Sequence, residues 1–162
     1  MIDAPDMLLK CADLNLVDEH AGCSEVHFYQ PFRIFMRGSV EWTGGTGLVG
    51  INSSDQRVEL NWDEGPSPMQ LTLQMVGACS LVDVVIGLKD RKFSKVWVDL
   101  NSERADESPR VFTKIIMDYH VEGEVPLKLV ERVVAKSHEK YCSVSNMLTP
   151  KVEIVSNCFV HN

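Results

Sequence analysis

From Phe32 onward the chain alternates apolar and polar positions in short runs: Phe32-Arg33-Ile34-Phe35-Met36-Arg37, Ser39-Val40-Glu41-Trp42, Leu48 to Asn52, and Arg57-Val58-Glu59-Leu60-Asn61-Trp62. A period of two is the signature of half-buried strands, and the Gly-rich Thr43 to Gly47 and polar Ser53-Ser54-Asp55 supply the turns between them. The pattern predicts an antiparallel meander. Gly65-Pro66-Ser67-Pro68 then predicts a helix start, because Ser67 can cap free amides and Pro68 occupies the first helical position, where no N–H is needed. That helix is predicted from about residue 68 to 89. Leu71 to Ile86 is apolar on nearly every face, so burial on most sides is expected. A membrane span is the competing reading. Gln74 and Asp83 inside a segment barely long enough to cross, with no second hydrophobic span, count against it.

Lys95 to Leu100 and Val111 to Val121 read as long strands, joined by the polar Ser102 to Pro109 as a hairpin. After Pro126, the apolar positions Leu127, Leu129, Val130, Val133 and Val134 follow helical spacing, and this helix should end near His138. A turn at Lys140-Tyr141-Cys142, a short helix over Ser143 to Leu148, and a last strand over Lys151 to Val160 complete the pattern. The order βββ-α-ββ-α-α-β predicts an α+β protein rather than a doubly wound one. Residues 1–31 show weak periodicity and read as an N-terminal extension with one short helix over Met7 to Leu14, leaving 32–162 as a single domain.

Composition narrows the function classes. A net charge of -7 with no basic block disfavours a nucleic-acid partner. The first residues lack the basic start and long apolar run of a signal peptide, so a cytoplasmic location and no membrane partner are expected. The five cysteines, at 11, 23, 79, 142 and 158, are irregularly spaced and form no CxxC, which supports neither a zinc site nor a disulfide framework. Cys11, Cys23 and Cys158 read as small buried apolar residues. No Gly-rich phosphate loop, nucleophile elbow or HExxH site occurs.

Two segments carry the remaining chemistry: Gly65-Pro66-Ser67-Pro68-Met69-Gln70-Leu71 leading to Gly77-Ala78-Cys79-Ser80, and Ser137-His138-Glu139-Lys140-Tyr141-Cys142-Ser143-Val144. Between them stand Asn101-Ser102-Glu103-Arg104 and Pro109-Arg110-Val111-Phe112-Thr113. This ordered set resembles the OsmC/Ohr family of osmotically inducible and organic hydroperoxide resistance proteins, and the Lys140 to Val144 wording is nearer its OsmC-like branch. The resemblance implies an OsmC-like fold of antiparallel sheets around a long buried helix carrying Cys79, assembled as an intertwined homodimer. It also implies that Cys79 attacks an organic hydroperoxide and Cys142 resolves the sulfenic acid as a disulfide. An external dithiol then reduces that disulfide, and no metal or other cofactor takes part.

A mid-helix thiol in apolar company needs a nearby cation to ionise. The family's arginine, just beyond paired glycines, and its helix-borne glutamate are matched here by Thr46 and by Met69 or Gln70. Arg37, Arg57 and Lys140 are the candidate substitutes. Asp83, one helical turn after Cys79, either positions such a cation or is an ordinary paired carboxylate. His138 and Glu139 either assist proton transfer during resolution or form a polar helix end. Met69 and Gln70 are candidate substrate contacts. Met69, Met75 and Met147 either line a channel or fill the core. Arg104 and Arg110 either close over substrate, pair across the dimer or are solvated, and His20, His27, His120 and His161 lack ligand spacing. Two functions remain: a thiol peroxidase, or an OsmC-fold dimer that binds a small apolar or electrophilic ligand without turnover.

Overall fold

In the computed structural model, which describes residues 36–161, two three-stranded sheets and three helices follow the expected order. The first sheet is the meander β1 (Gly38–Gly44), β2 (Gly47–Asn52) and β3 (Arg57–Asn61), with both pairings antiparallel. Its turns are held by local polar groups. Trp42 Nε1 donates to the Gly45 carbonyl at 3.0 Å, and Asn52 Oδ1 accepts from the amides of Ser54 and Gln56 at 2.9 and 3.1 Å. The candidate strand residues 32–35, the extension 1–31 with its helix over Met7 to Leu14, and His20, His27, Cys11 and Cys23 lie outside the described residues.

α1 (Pro68–Gly87) begins as its sequence predicts. Ser67 Oγ accepts from the Gln70 amide at 3.3 Å, and Gln70 Oε1 accepts from the Ser67 amide at 2.8 Å. This reciprocal cap satisfies two donors that the helix ladder leaves free. The helix stops two residues before the expected end, at Gly87. There α1 crosses α2 (Leu127–Lys136) so closely that a Cβ on Gly87 would stand 2.5 Å from Val133 Cγ1.

The second sheet corrects one expectation. β4 (Lys92–Arg104) and β5 (Phe112–Glu124) form the antiparallel hairpin, but β6 (Glu153–His161) pairs with β5 in parallel. The sheet is mixed because residues 125–152 between β5 and β6 hold α2, a π-helical turn (Ser137–Tyr141) and α3 (Ser143–Leu148). A connection of that length carries the chain back to the end where β5 started, as parallel pairing requires.

β5 is the central strand, and its alternation sorts the layers. Ile115, Met117, Tyr119 and Val121 are fully buried with Val76, Val84 and Leu88 of the α1 region and Val130 and Val134 of α2. Ile116, Asp118, His120 and Glu122 point to the other face, as a period of two demands. α1 buries one strip only, Val76, Gly77, Ser80 and Val84. The expectation of burial on most sides is not met within one chain: Val82 is 58% exposed and Ile86 60%. Sheet and helices of the same chain pack on one flank of α1, so the opposite flank keeps its apolar residues bare. By length and composition α1 alone among the described helices is long and apolar enough to cross a membrane. Two of its polar residues, Ser80 and Asp83, bond instead to Tyr119 of β5 and to Ser137 of the π-helical turn.

Candidate active site

α1 and the π-helical turn bring the two expected cysteines together. Cys79 is half-buried on α1, and Cys142, fully buried, ends the π turn and caps α3. The Cys142 amide closes the turn on the Ser137 carbonyl at 2.8 Å. Its Sγ accepts from the Ser145 amide at 3.4 Å, while Ser145 Oγ donates to the Cys142 carbonyl at 3.1 Å. Cys79 is the other thiol close enough to influence the ionisation of Cys142. Burial pushes the Cys142 thiol up; the Ser145 contacts favour its thiolate, and Cys79 raises it further. The net shift is upward, so Cys142 rests as a protonated thiol at neutral pH.

Beneath the pair lies a buried polar chain. Ser80, next to Cys79, donates to the Val76 and Gly77 carbonyls of its own helix at 3.0 Å each. Tyr119, inward on β5, donates its hydroxyl to Ser80 Oγ at 2.6 Å, and the same oxygen lies 3.0 Å from His138 Nε2. Burial is the main reason the Tyr119 phenol is raised far above its ordinary value; Ser80 opposes this, and negative charge on Cys142, Cys158 or Asp83 adds to it. Burial also lowers His138, opposed by the nearby Asp83 carboxylate. Asp83 Oδ2 accepts from Ser137 Oγ at 2.7 Å, which ties α1 to the π turn.

The other candidates are placed as follows. Arg37 is exposed before β1, and Arg57 lies with Glu59 beside a concavity of about 460 Å³ on the first sheet. Lys140 is exposed with its ammonium 5.7 Å from the Tyr141 ring centroid, and Glu139 is exposed beside it. Among the described residues the Cys142 sulfur is hydrogen-bonded by the Ser145 amide, which is not cationic. Gln70 spends its amide oxygen on the helix cap, which leaves the substrate-contact expectation without its acceptor. Met69 lines an apolar groove of about 450 Å³ with Phe112, Met147 and Leu148, rimmed by Arg104, Arg110 and Lys151. Arg104 Nε donates to the Arg110 carbonyl at 2.7 Å, bracing the hairpin. Met75 is exposed on α1 rather than in this groove.

Sequence reasoning missed Ser80, Tyr119, Ser137 and Ser145. One signal was available: Tyr119 sits at an inward position of the β5 alternation, and a buried tyrosine hydroxyl needs a partner. It also missed a surface stack. His120 lies between Trp97 and Phe159, at 4.8 and 4.9 Å between centroids, and its Nδ1 is 2.9 Å from His161 Nε2. Cys158 stands beside Tyr119 in the parallel register and is pushed up to about 11, chiefly by burial and then by Glu131. Among the described residues no three His, Cys, Asp or Glu side chains are grouped to hold a metal ion.

A family model described as OsmC-like protein matches residues 62–157, which contain both cysteines. Protein YhfA of Escherichia coli (strain K12) is 38% identical over 125 residues, spanning 74% of this chain and 93% of that protein. A hypothetical protein of Aquifex aeolicus VF5 has a crystal structure with a TM-score of 0.73 and 27% identity, covering 79% of this chain and 97% of that one. An organic hydroperoxide resistance protein OsmC from Legionella pneumophila shares the fold, with a TM-score of 0.59 at 17% identity over 78% of this chain and 98% of that one.

Proposed function

The chain belongs to the OsmC-like protein family, and from that premise we propose that it is a thiol-dependent peroxidase acting on organic hydroperoxides. The single observation carrying this reading is that the half-buried Cys79 of α1 lies close enough to the buried Cys142 to raise its thiol. Cys79, as thiolate, attacks the terminal peroxide oxygen; the S–O bond forms, the O–O bond breaks, and the alkoxide takes up the thiol proton and leaves as an alcohol. Cys142 then displaces the hydroxyl of the Cys79 sulfenic acid as water and forms the disulfide. An external dithiol returns both sulfurs to thiols, so no further cofactor is required. The reading includes a cytoplasmic protein in which 32–162 is the working domain and 1–31 an extension.

The test supplies purified protein with cumene hydroperoxide and dihydrolipoamide, beside Cys79→Ser. Dithiol-dependent peroxide loss in the wild type alone is expected. Equal, slow consumption by both proteins would sink the reading. A specific observation favours a second one, an OsmC-fold protein that binds without turnover: the groove of Met69, Phe112, Met147 and Leu148 lies between three cationic side chains. Saturable binding of a small apolar compound, with no peroxide loss, selects that alternative.

Homodimer assembly is part of the proposal. The bare flank of α1, with Val82 and Ile86, and the exposed Val40 and Trp42 of β1 are large apolar surfaces that one chain leaves in water. Burying them against a second copy removes that cost. Light scattering should give twice the chain mass for the wild type and the single-chain mass for Ile86→Glu; a monomeric wild type removes the dimer.

A further inference from the structure

His138 has a feature that peroxide attack at Cys79 does not use. Ser80 spends its hydroxyl proton on the Val76 and Gly77 carbonyls, which can only accept. Tyr119 therefore gives its proton to Ser80, and the Tyr119 oxygen is left to accept from His138. That polarity places the imidazole proton on Nε2 and a lone pair on Nδ1. Nδ1 is buried, and no hydrogen-bond partner meets it, neither sulfur included. A buried acceptor without a partner costs about 1–3 kcal/mol, so its retention calls for a use.

The resolving step supplies one. Cys142 rests as a protonated thiol, yet thiolate is the attacking form. His138 lies in the π turn that ends at Cys142, and Asn146 holds its carbonyl at 3.1 Å. The groups around it are Asp83 from α1 and Tyr119 from β5, and Tyr119 in turn lies within electrostatic reach of Cys142; Glu139 and Lys140 of the turn are exposed. Asp83 is positioned to steady an imidazolium that burial otherwise disfavours.

Resting on the thiol-peroxidase reading, we propose that His138 Nδ1 accepts the Cys142 proton, directly or through one water molecule, as Cys142 closes onto oxidised Cys79. The S–S bond forms while the S–O bond of the sulfenic acid breaks. The departing hydroxide recovers the proton from His138 and leaves as water. The Cys142 sulfur is oxidised and the sulfenic sulfur reduced, with no outside redox partner. Tyr119 and Ser80 act as positioning residues, since they set which imidazole nitrogen carries the lone pair.

The test uses the full chain and His138→Gln, which keeps a donor for Tyr119 and loses Nδ1. After one equivalent of cumene hydroperoxide, the Cys79 sulfenic acid should still form and should accumulate as a dimedone adduct, with disulfide closure slowed roughly 100-fold. Wild-type closure should slow as pH falls and His138 takes up a proton. His138→Gln should lack that acid limb and quicken only as pH rises enough to ionise Cys142. A peroxide-free arm loads Cys79 as a thionitrobenzoate mixed disulfide, with Cys11, Cys23 and Cys158 replaced by Ala, and follows its expulsion by Cys142. Equal closure rates in the two proteins overturn the proposal, and so does a wild type without an acid limb, which needs no variant to fold. If peroxide produces no sulfenic acid, the peroxidase reading falls, while the mixed-disulfide arm still decides for or against His138.

Discussion

Cys79→Ser is expected to abolish dithiol-dependent peroxide reduction, by roughly 10⁴-fold or more, the scale on which losing a nucleophile acts. Cys142→Ser is expected to fail differently. Its Cys79 should react with peroxide, because the attacking thiol and its access are intact. The sulfenic acid then has no resolving thiol near it: Cys142 is the thiol whose ionisation Cys79 influences, and Cys158 belongs to the sheet beside Tyr119. Excess peroxide should therefore carry Cys79 to the sulfinic acid, a step an ordinary dithiol does not reverse. Intact-mass measurement reads the difference directly. Wild type plus peroxide should lose two hydrogens as a disulfide, whereas Cys142→Ser should gain two oxygen atoms. An alternative resolving partner would show as a disulfide in Cys142→Ser and would displace Cys142 from its role.

The largest effect on stability should come from Tyr119→Phe. The ring still fills its fully buried site, so the change isolates the hydroxyl. Without it His138 Nε2–H loses its acceptor in a site that excludes water, at a cost of about 1–3 kcal/mol. Urea unfolding at neutral pH measures this, and a shift under about 0.5 kcal/mol, half of a typical net bond, would mean that the chain through Ser80, Tyr119 and His138 stabilises nothing. The same hydroxyl shapes the alkaline limit. The folded protein holds Tyr119 neutral well above the ordinary 10.0, whereas the unfolded chain ionises there. The unfolded state then binds fewer protons, so stability falls as pH rises past 10, by at most about 1.4 kcal/mol per unit for one group. Cys158 acts in the same direction between 9.0 and about 11, and Cys142 likewise from 9.0 upward. Tyr119→Phe should flatten the slope above pH 10 while leaving the decline that begins near 9.0. On the acid side His138 is lowered, so stability should fall as pH drops below 6.5 and the unfolded imidazole binds a proton first.

Most elements were legible because their causes are local. Ser67 and Pro68 start α1 through a cap that needs only four neighbouring residues, and the β5 alternation already separates its inner from its outer side chains. The direction of β6 was not legible, because a strand carries the same alternation whichever way it pairs. The cationic candidates show a similar limit. Arg37, Arg57 and Lys140 are plausible by charge, yet strand register and turn geometry leave them exposed or beside another concavity. Asp83 and Gln70 were marked for chemistry, and the folded chain uses them to bond Ser137 and to cap α1.

By itself, the sequence determined the order of elements, the family and the identity of Cys79 and Cys142 as the two cysteines of interest. Caps, periodicity and motif spacing are properties of contiguous residues, so they survive without coordinates. Only the tertiary structure decided that Ser80, Tyr119 and His138 form one polar chain with its lone pair left at Nδ1. Those residues are 39 and 19 positions apart along the chain. Hydrogen-bond polarity depends on which groups the packed core brings within 3 Å, and no pattern in a linear sequence encodes that meeting.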